Sequence, residues 1–288
     1  MAGRRPCSEV ESAQRGFGDE GSARRRRVLQ ETIHAFEQVN PPERFHLVAK
    51  RNLDRWRAKR GVSESKLRVE VLLEDWGEVT RSLTNAYGKC FAVLNMANAN
   101  VPGGAYVEGA VAQEENMFRR TDCHFRIHRD EYDVRLDRYC PKMTRLLSAR
   151  DDVVYLDTHQ PRVCIRGPEE RSRTDLGYQW LSEDQIFPFF ELRAAAQDLR
   201  DGSAFDPEDA RKRIAAQLNT LRDHRVRHAV LGAFGCGAFQ NPAHRVAQIY
   251  LQEIMAREAD FTVIGFAIFV PGYGPDNYTA FAKAFGRG

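Results

Sequence analysis

Two adjacent carboxylates, Glu114 and Glu115, follow a loop that carries Gly103 and Gly104. The combination points to a definite chemistry. Glycines have no side chain, so a ligand can approach the backbone closely and N–H groups can face an anion. A helix starting just after such a loop adds a positive dipole end for phosphate. Adjacent helical residues point roughly a hundred degrees apart, so one carboxyl can enter a pocket while the other braces it. A phosphate cradle beside a carboxyl acid–base group is what cleavage of a sugar attached to a diphosphate requires. A second glycine loop lies at 231–242, LGAFGCGAFQNP, with Gly232, Gly235 and Gly237 between a strand pattern and a helix pattern. It lacks the G-x-G-x-x-G order of a dinucleotide site and the G-K-S/T of a Walker loop, so it reads as a backbone cradle of another kind.

The elements that must position these loops follow from hydrophobic periodicity. Residues 90–95 (CFAVLN) have strand length and composition, and 110–120 has spaced apolar residues at helical separations. Residues 67–73 read as a strand, 76–87 as a helix, 153–156 and 162–165 as two short strands, and 187–196 as a third. A periodic helix is expected at 207–222, a strand at 229–233, a helix opening with Pro at 242–257, and a long buried strand at 261–270. This alternation argues for a sheet covered on both faces by helices. Ahead of it, two helices are expected within 25–62, separated by Pro41 and Pro42, and a disordered basic arm at 1–24.

Composition sets the remaining bounds. The chain has 288 residues, ample for a core, and is 42% hydrophobic with no run of membrane-spanning length. Residues 1–60 hold 14 Lys and Arg against 8 Asp and Glu, a net of +6, whereas the remainder holds 29 against 32. A basic front end can touch a polyanion, although a solvated face on two accessory helices is the simpler expectation. Six scattered cysteines without a CxxC pair read as free thiols in a reducing compartment. The first residues lack the apolar segment of a secretory signal, so an intracellular location, cytoplasmic or nuclear, is expected. Cys123, His124 and His128 lack a fourth metal ligand, and surface or capping histidines are expected there. The charges of the middle segment, among them Arg119, Arg120, Arg166 and Glu169, are expected on surface loops near the site.

The order Asn98, Pro102-Gly103-Gly104, then Gln113-Glu114-Glu115 resembles the signature of poly(ADP-ribose) glycohydrolases, the microbial type in particular. The loop Gly235-Cys236-Gly237-Ala238-Phe239 is similar to the family's G-x-x-G-C-G-x-F loop, and 265–269 resembles its closing strand. The resemblance runs from about 67 to 285, with a poorly matching middle at about 125–206, and departs from the family at Ala105, where a third glycine is usual. It implies an α/β macrodomain-like fold, a three-layer α/β/α sandwich with a mixed central sheet, here with an N-terminal helical extension and a catalytic domain at 63–288. It further implies hydrolysis of ribose–ribose O-glycosidic bonds to release ADP-ribose, without metal or cofactor. Glu115 then corresponds to the general acid and Glu114 to its neighbour that holds the ribose hydroxyls. Asn98 would bond the ribose, Gln113 would position the carboxylates, and Gly103, Gly104, Ala105, Gly235, Cys236, Gly237 and Ala238 would wrap the diphosphate. Phe239 would pack on the distal ribose, while Cys236 as a side chain is expected to pack against its loop. By position alone, Glu74 or Asp75 would take the adenine amino group. The implied partners are ADP-ribose or its polymer and ADP-ribosylated proteins or nucleic acid, with no membrane. A binding module without turnover, or a hydrolase of single ADP-ribose units, are the competing readings; the intact Glu pair favours an enzyme.

Overall fold

The computed structural model describes residues 20–58, 66–270 and 275–286. Helices α1 (Glu20–Gln38) and α2 (Arg44–Ala58) precede strand β1 (Arg68–Leu72), helix α3 (Trp76–Tyr87), strand β2 (Ala92–Met96) and helix α4 (Gln113–Arg120). A 3-10 turn, Asp122–Arg126, leads to a small hairpin, β3 (Tyr132–Asp133) and β4 (Arg138–Tyr139), and to helix α5 (Pro141–Leu147). Then follow β5 (Tyr155–Cys164), β6 (Phe187–Ala194), α6 (Pro207–Asp223), β7 (His228–Leu231), α7 (Ala243–Met255), β8 (Val263–Ala267) and α8 (Asn277–Phe285). Six strands form one sheet in the order β1-β8-β7-β2-β6-β5, parallel except for β5, which runs antiparallel to β6. The sheet is therefore mixed.

Side chains alternate across a strand, and β2 shows how the two covering layers are built. Ala92 and Leu94 face a core shared with Leu218 and Leu221 of α6, Tyr250 of α7 and Phe281 of α8. Val93 faces the other way, into a core shared with Val79 and Leu83 of α3 and Met117 of α4. Leu29 and Ile33 of α1 lie in that second core and are fully buried. Burying each stabilises by about 1.5–3 kcal/mol, so the apolar face of α1 is held by the core. No helix among the described residues is long and apolar enough to cross a membrane.

Several expectations need correction. Helix α1 begins at Glu20, so residues 20–24 are helical rather than part of a disordered arm; residues 1–19 lie outside the described residues. The expected boundary at 62–63 also falls outside them. The helix expected at 110–120 starts only at Gln113, because residues 97–112 form a longer loop closed by its own turns. The two short strands expected at 153–156 and 162–165 are one strand, β5, with a register shift between Asp157 and Arg162. A shift of this kind breaks the alternation that the sequence pattern relies on. The strand expected at 261–270 is limited to Val263–Ala267.

Candidate active site

Strands β2 and β7 are parallel neighbours, with Ala92 opposite Ala229 and Val93 opposite Val230, so their following loops leave the sheet side by side. A crevice outside the carboxyl ends of parallel strands is the usual ligand position in such sheets. The first loop adopts left-handed backbone at Gly103 (φ +72°) and Gly104 (φ +58°). Gly104 is required twice over: a Cβ there would lie 2.3 Å from Glu115 Oε1. Ala105 is not among the left-handed positions, so its methyl group meets no conformational penalty where the family has glycine.

Helix α4 delivers its first turn to this loop. Gln113 binds the end of β2, accepting from Met96 N at 2.9 Å and donating to Leu94 O at 2.9 Å. Glu114 accepts from Asn98 N at 2.7 Å through Oε2 and from Gly103 N at 3.1 Å through Oε1. Glu115 Oε1 accepts from Ala105 N at 3.1 Å. Three of the four carboxylate oxygens therefore clasp backbone, and Glu115 Oε2 is the one these bonds leave aside. Asn98 Oδ1 accepts from Asn100 N (2.8 Å) and Val101 N (3.0 Å), a side-chain turn that shapes the loop before its glycines. Burial raises the pKa of both carboxyls, Glu114 well above its usual value, with the charge of Glu115 adding to the rise. Burial is the first cause for Glu115 as well.

The second loop is folded around Asn241, whose Nδ2 donates to Gly235 O at 3.1 Å, Phe239 O at 3.2 Å and Gln197 O at 2.7 Å. Gly235 has φ +74°, and a Cβ there would lie 2.5 Å from the Cβ of Ala196. Gly237 and Ala238 are exposed, whereas the Cys236 side chain is buried in the core beneath the loop. Burial pushes the Cys236 thiol up, which removes the thiolate a nucleophile needs. Phe239 is half-buried at the end of the loop, with the Arg200 guanidinium over its ring.

What fixes α4 is a buried polar chain that sequence patterns did not expose. Tyr178 Oη receives Asn116 Nδ2 (3.2 Å) and Arg119 Nε (3.0 Å) and donates to Glu169 Oε2 (2.7 Å). Arg25 of α1 closes the chain on Glu169 Oε1, at 2.8 Å through Nη2. Thr32 donates to Arg119 O at 2.7 Å, a second link from α1 to α4. Arg120 donates to both oxygens of Asp75, at 2.7 and 2.9 Å. Arg119, Arg120, Arg166 and Glu169 are thus buried, not on surface loops as expected, because each has polar partners that replace water. His124 is also buried, at 2.8 Å from Tyr106 Oη, rather than at the surface; no metal-holding cluster occurs among the described residues. Under β2, Glu191 takes Asn95, Arg162 and Arg193. Burial alone would raise its pKa, but the two guanidiniums outweigh burial and hold it at about 2. Asn241, Tyr178 and Glu191 carried no periodic signal; the Asn-Pro step after Phe239 was the only local hint.

A cleft of about 420 Å³ lies at the carboxyl ends of β1 and β8, lined by Leu73, Glu74, Asp75, Glu170, Arg171 and Phe269 among others. Asp75 is occupied by Arg120 and by the first turn of α3, where it accepts from Gly77 N and Glu78 N. Glu74 is exposed beside it.

Known structures share this fold. The poly(ADP-ribose) glycohydrolase (PARG) structure from Thermomonospora curvata shares 23% identity over 91% of this chain and 99% of its own, with a TM-score of 0.63. A structure of the T. curvata enzyme bound to the inhibitor ADP-HPD has a TM-score of 0.61 at 23% identity, with the same coverage of both chains. PARG from Deinococcus radiodurans in complex with ADP-ribose shares 24% identity over 84% of this chain and 91% of its own, at a TM-score of 0.54. At these identities the likeness establishes the macrodomain-like fold. A comparison with curated proteins found no match. A family model described as "Microbial-type PARG, catalytic domain" matches residues 14–157, half of the chain, taking in α1, α2, the first glycine loop and the Glu114–Glu115 pair. The chain belongs to the microbial-type PARG catalytic domain family.

Proposed function

We propose that this chain hydrolyses the ribose–ribose O-glycosidic bonds of poly(ADP-ribose) and releases ADP-ribose, with Glu115 as the proton donor. The observation that carries the reading is the clasp around the carboxylate pair. Burial pushes the Glu114 pKa up, but a proton on either of its oxygens would displace a backbone N–H from Asn98 or Gly103, so the clasp selects the ionised form of Glu114. Two adjacent buried carboxyls share one proton most easily, and that proton goes to Glu115 Oε2. Burial of Glu115, the largest cause of its raised pKa, favours keeping the proton there.

The steps follow from this assignment. The diphosphate lies against the backbone of Gly103–Ala105 and Gly235–Ala238, and the distal ribose rests on Phe239. Glu115 passes its proton to the oxygen leaving the anomeric carbon as that bond breaks, giving an oxocarbenium-like sugar. The Glu115 carboxylate then takes a proton from water as the water oxygen bonds to the anomeric carbon. Glu114 holds the loop to the helix and steadies the sugar by its negative charge. Asn98 keeps its amide nitrogen for the ribose, since its oxygen shapes the turn. Because Asp75 is engaged elsewhere, Glu74 is the acid that meets the adenine amino group in the neighbouring cleft. The ADP-ribose and ADP-HPD bound by the two bacterial relatives support the same ligand class here.

Release of ADP-ribose from poly(ADP-ribose)-modified protein tests the reading, with calorimetric ADP-ribose binding run in parallel. Glu115→Gln is expected to lower the rate by about 10³-fold or more while affinity stays within a few-fold. A variant that cuts as fast as wild type would remove Glu115 from the role of acid. A wild type that binds but does not cut would be a reader.

A further inference from the structure

A third loop converges on the site. Residues 197–206, between β6 and α6, are closed by Gln197, which donates to Asp206 O at 2.9 Å and accepts from Asp206 N at 3.2 Å. The closed loop is fastened to the second glycine loop by Asn241 Nδ2 on Gln197 O and by Leu199 N on Phe239 O at 3.1 Å. Arg200 projects from it, with its guanidinium carbon 5.1 Å from the centroid of Phe239. Its Nε donates to Asp198 at 2.8 Å, and its side chain remains 53% exposed. That hydrogen bond is the main cause of a raised Arg200 pKa, and the charge of Glu115 also contributes, so the guanidinium lies within the field of the catalytic pair. On the same loop, Phe205 carries the exposed Arg245 at 5.8 Å.

We propose that Arg200 binds the diphosphate of the next ADP-ribose unit, on the leaving side of the scissile bond, and so favours polymer over single-unit substrates. This rests on the glycohydrolase reading above. In the polymer, the leaving oxygen belongs to an adenosine ribose whose 5′ carbon bears the next diphosphate, one sugar ring from the bond that breaks. Stacking on Phe239 orients the guanidinium fork before substrate arrives, and a fork suits phosphate oxygens bidentately. The Asp198 pair is solvent-exposed and worth about 0–1 kcal/mol, so an incoming phosphate displaces it readily. Asp198 then holds the cation on its own loop when no polymer is bound.

The test compares two substrates: poly(ADP-ribose), and an ADP-ribose glycoside with a nitrophenyl leaving group, which has no second diphosphate. In Arg200→Ala the ratio of kcat/KM for polymer over that for the aryl glycoside is expected to fall about tenfold, mainly through KM. The salt dependence of the polymer KM is expected to weaken, and Arg200→Lys to recover part of the loss. Thermal melting guards against misfolding. An equal loss on both substrates would mean that Arg200 acts on the catalytic pair or the bound unit, and overturns the inference. No change on either substrate, with wild type active, overturns it too. Wild type inactive on both substrates overturns the glycohydrolase reading and this inference with it.

Discussion

A single atom decides the working geometry at Gly104. A methyl group there would sit 2.3 Å from Glu115 Oε1 on a left-handed backbone, so Gly104→Ala must move either the carboxylate or the loop. We expect ADP-ribose release to fall on the order of 10²-fold, because small displacements of a catalytic group are costly. The same substitution is expected to lower stability by about 1–3 kcal/mol in chemical denaturation. Ala105 is the contrast. Its backbone is not left-handed, so Ala105→Gly is expected to leave turnover within about twofold and to lower stability by about 0.4–1 kcal/mol through unfolded-chain entropy. A large gain in turnover would show instead that the Ala105 methyl obstructs substrate. The sequence singled out this position as the family departure; only the backbone angles say that it is harmless to the loop.

Helix α4 is short, eight residues, and its N-cap Ala112 makes no side-chain cap bond. Its placement therefore depends on what it packs against. The Arg25–Glu169–Tyr178–Arg119 chain ties it to α1, although these residues come from widely separated stretches. Arg25→Ala removes the nearer of two cations on buried Glu169 and leaves Arg171 Nε at 3.4 Å, so the cost is expected to fall below the about 3–5 kcal/mol of a buried charge left with no partner. We expect a matching fall in denaturation free energy and a lower kcat from a loosened Glu pair, measured on the same preparations. Unaltered kcat in a destabilised variant would mean that α1 supports the fold but not the carboxylates. Periodicity identified α1 and α2 as helices because their apolar residues recur every three or four positions. It placed Arg25 on a solvated face, since nothing local announces a partner at position 169.

Across the whole molecule, buried carboxyls push stability in opposite directions with pH. Glu191, held near 2, and Glu169, whose pKa is lowered by Arg25 and Tyr178 against the opposing effect of burial, contribute stability above the unfolded carboxyl pKa. That contribution is lost as pH falls through the folded values, so melting temperature is expected to drop between about pH 4.5 and 2. Glu115 has a raised value, and the sign reverses. Its protonated form favours the folded state, and stability declines as pH rises from about 4.5 through its folded pKa. Glu115→Gln keeps an oxygen acceptor for Ala105 N and removes the ionisation. The variant should therefore gain stability relative to wild type as pH rises from 4 to 8, in thermal melts across that range. A constant difference would mean that Glu115 titrates with an ordinary pKa.

The sequence by itself determined the local matters. Strands and helices followed from apolar spacing, the two loops from glycines between them, and the family from Gly103-Gly104, Glu114-Glu115 and Gly235–Phe239. These are properties of neighbouring residues, where backbone sterics and side-chain periodicity act. Tertiary structure alone decided which carboxylate oxygen is left aside, because that depends on N–H groups from Asn98, Gly103 and Ala105 meeting a helix that starts later in the chain. It alone buried Arg119, Arg120 and Glu169, and set Arg200 on Phe239 across 39 positions of sequence. A charge reads as solvated in a sequence until a partner replaces its water, and the partner's distance along the chain is set by the sheet order β1-β8-β7-β2-β6-β5.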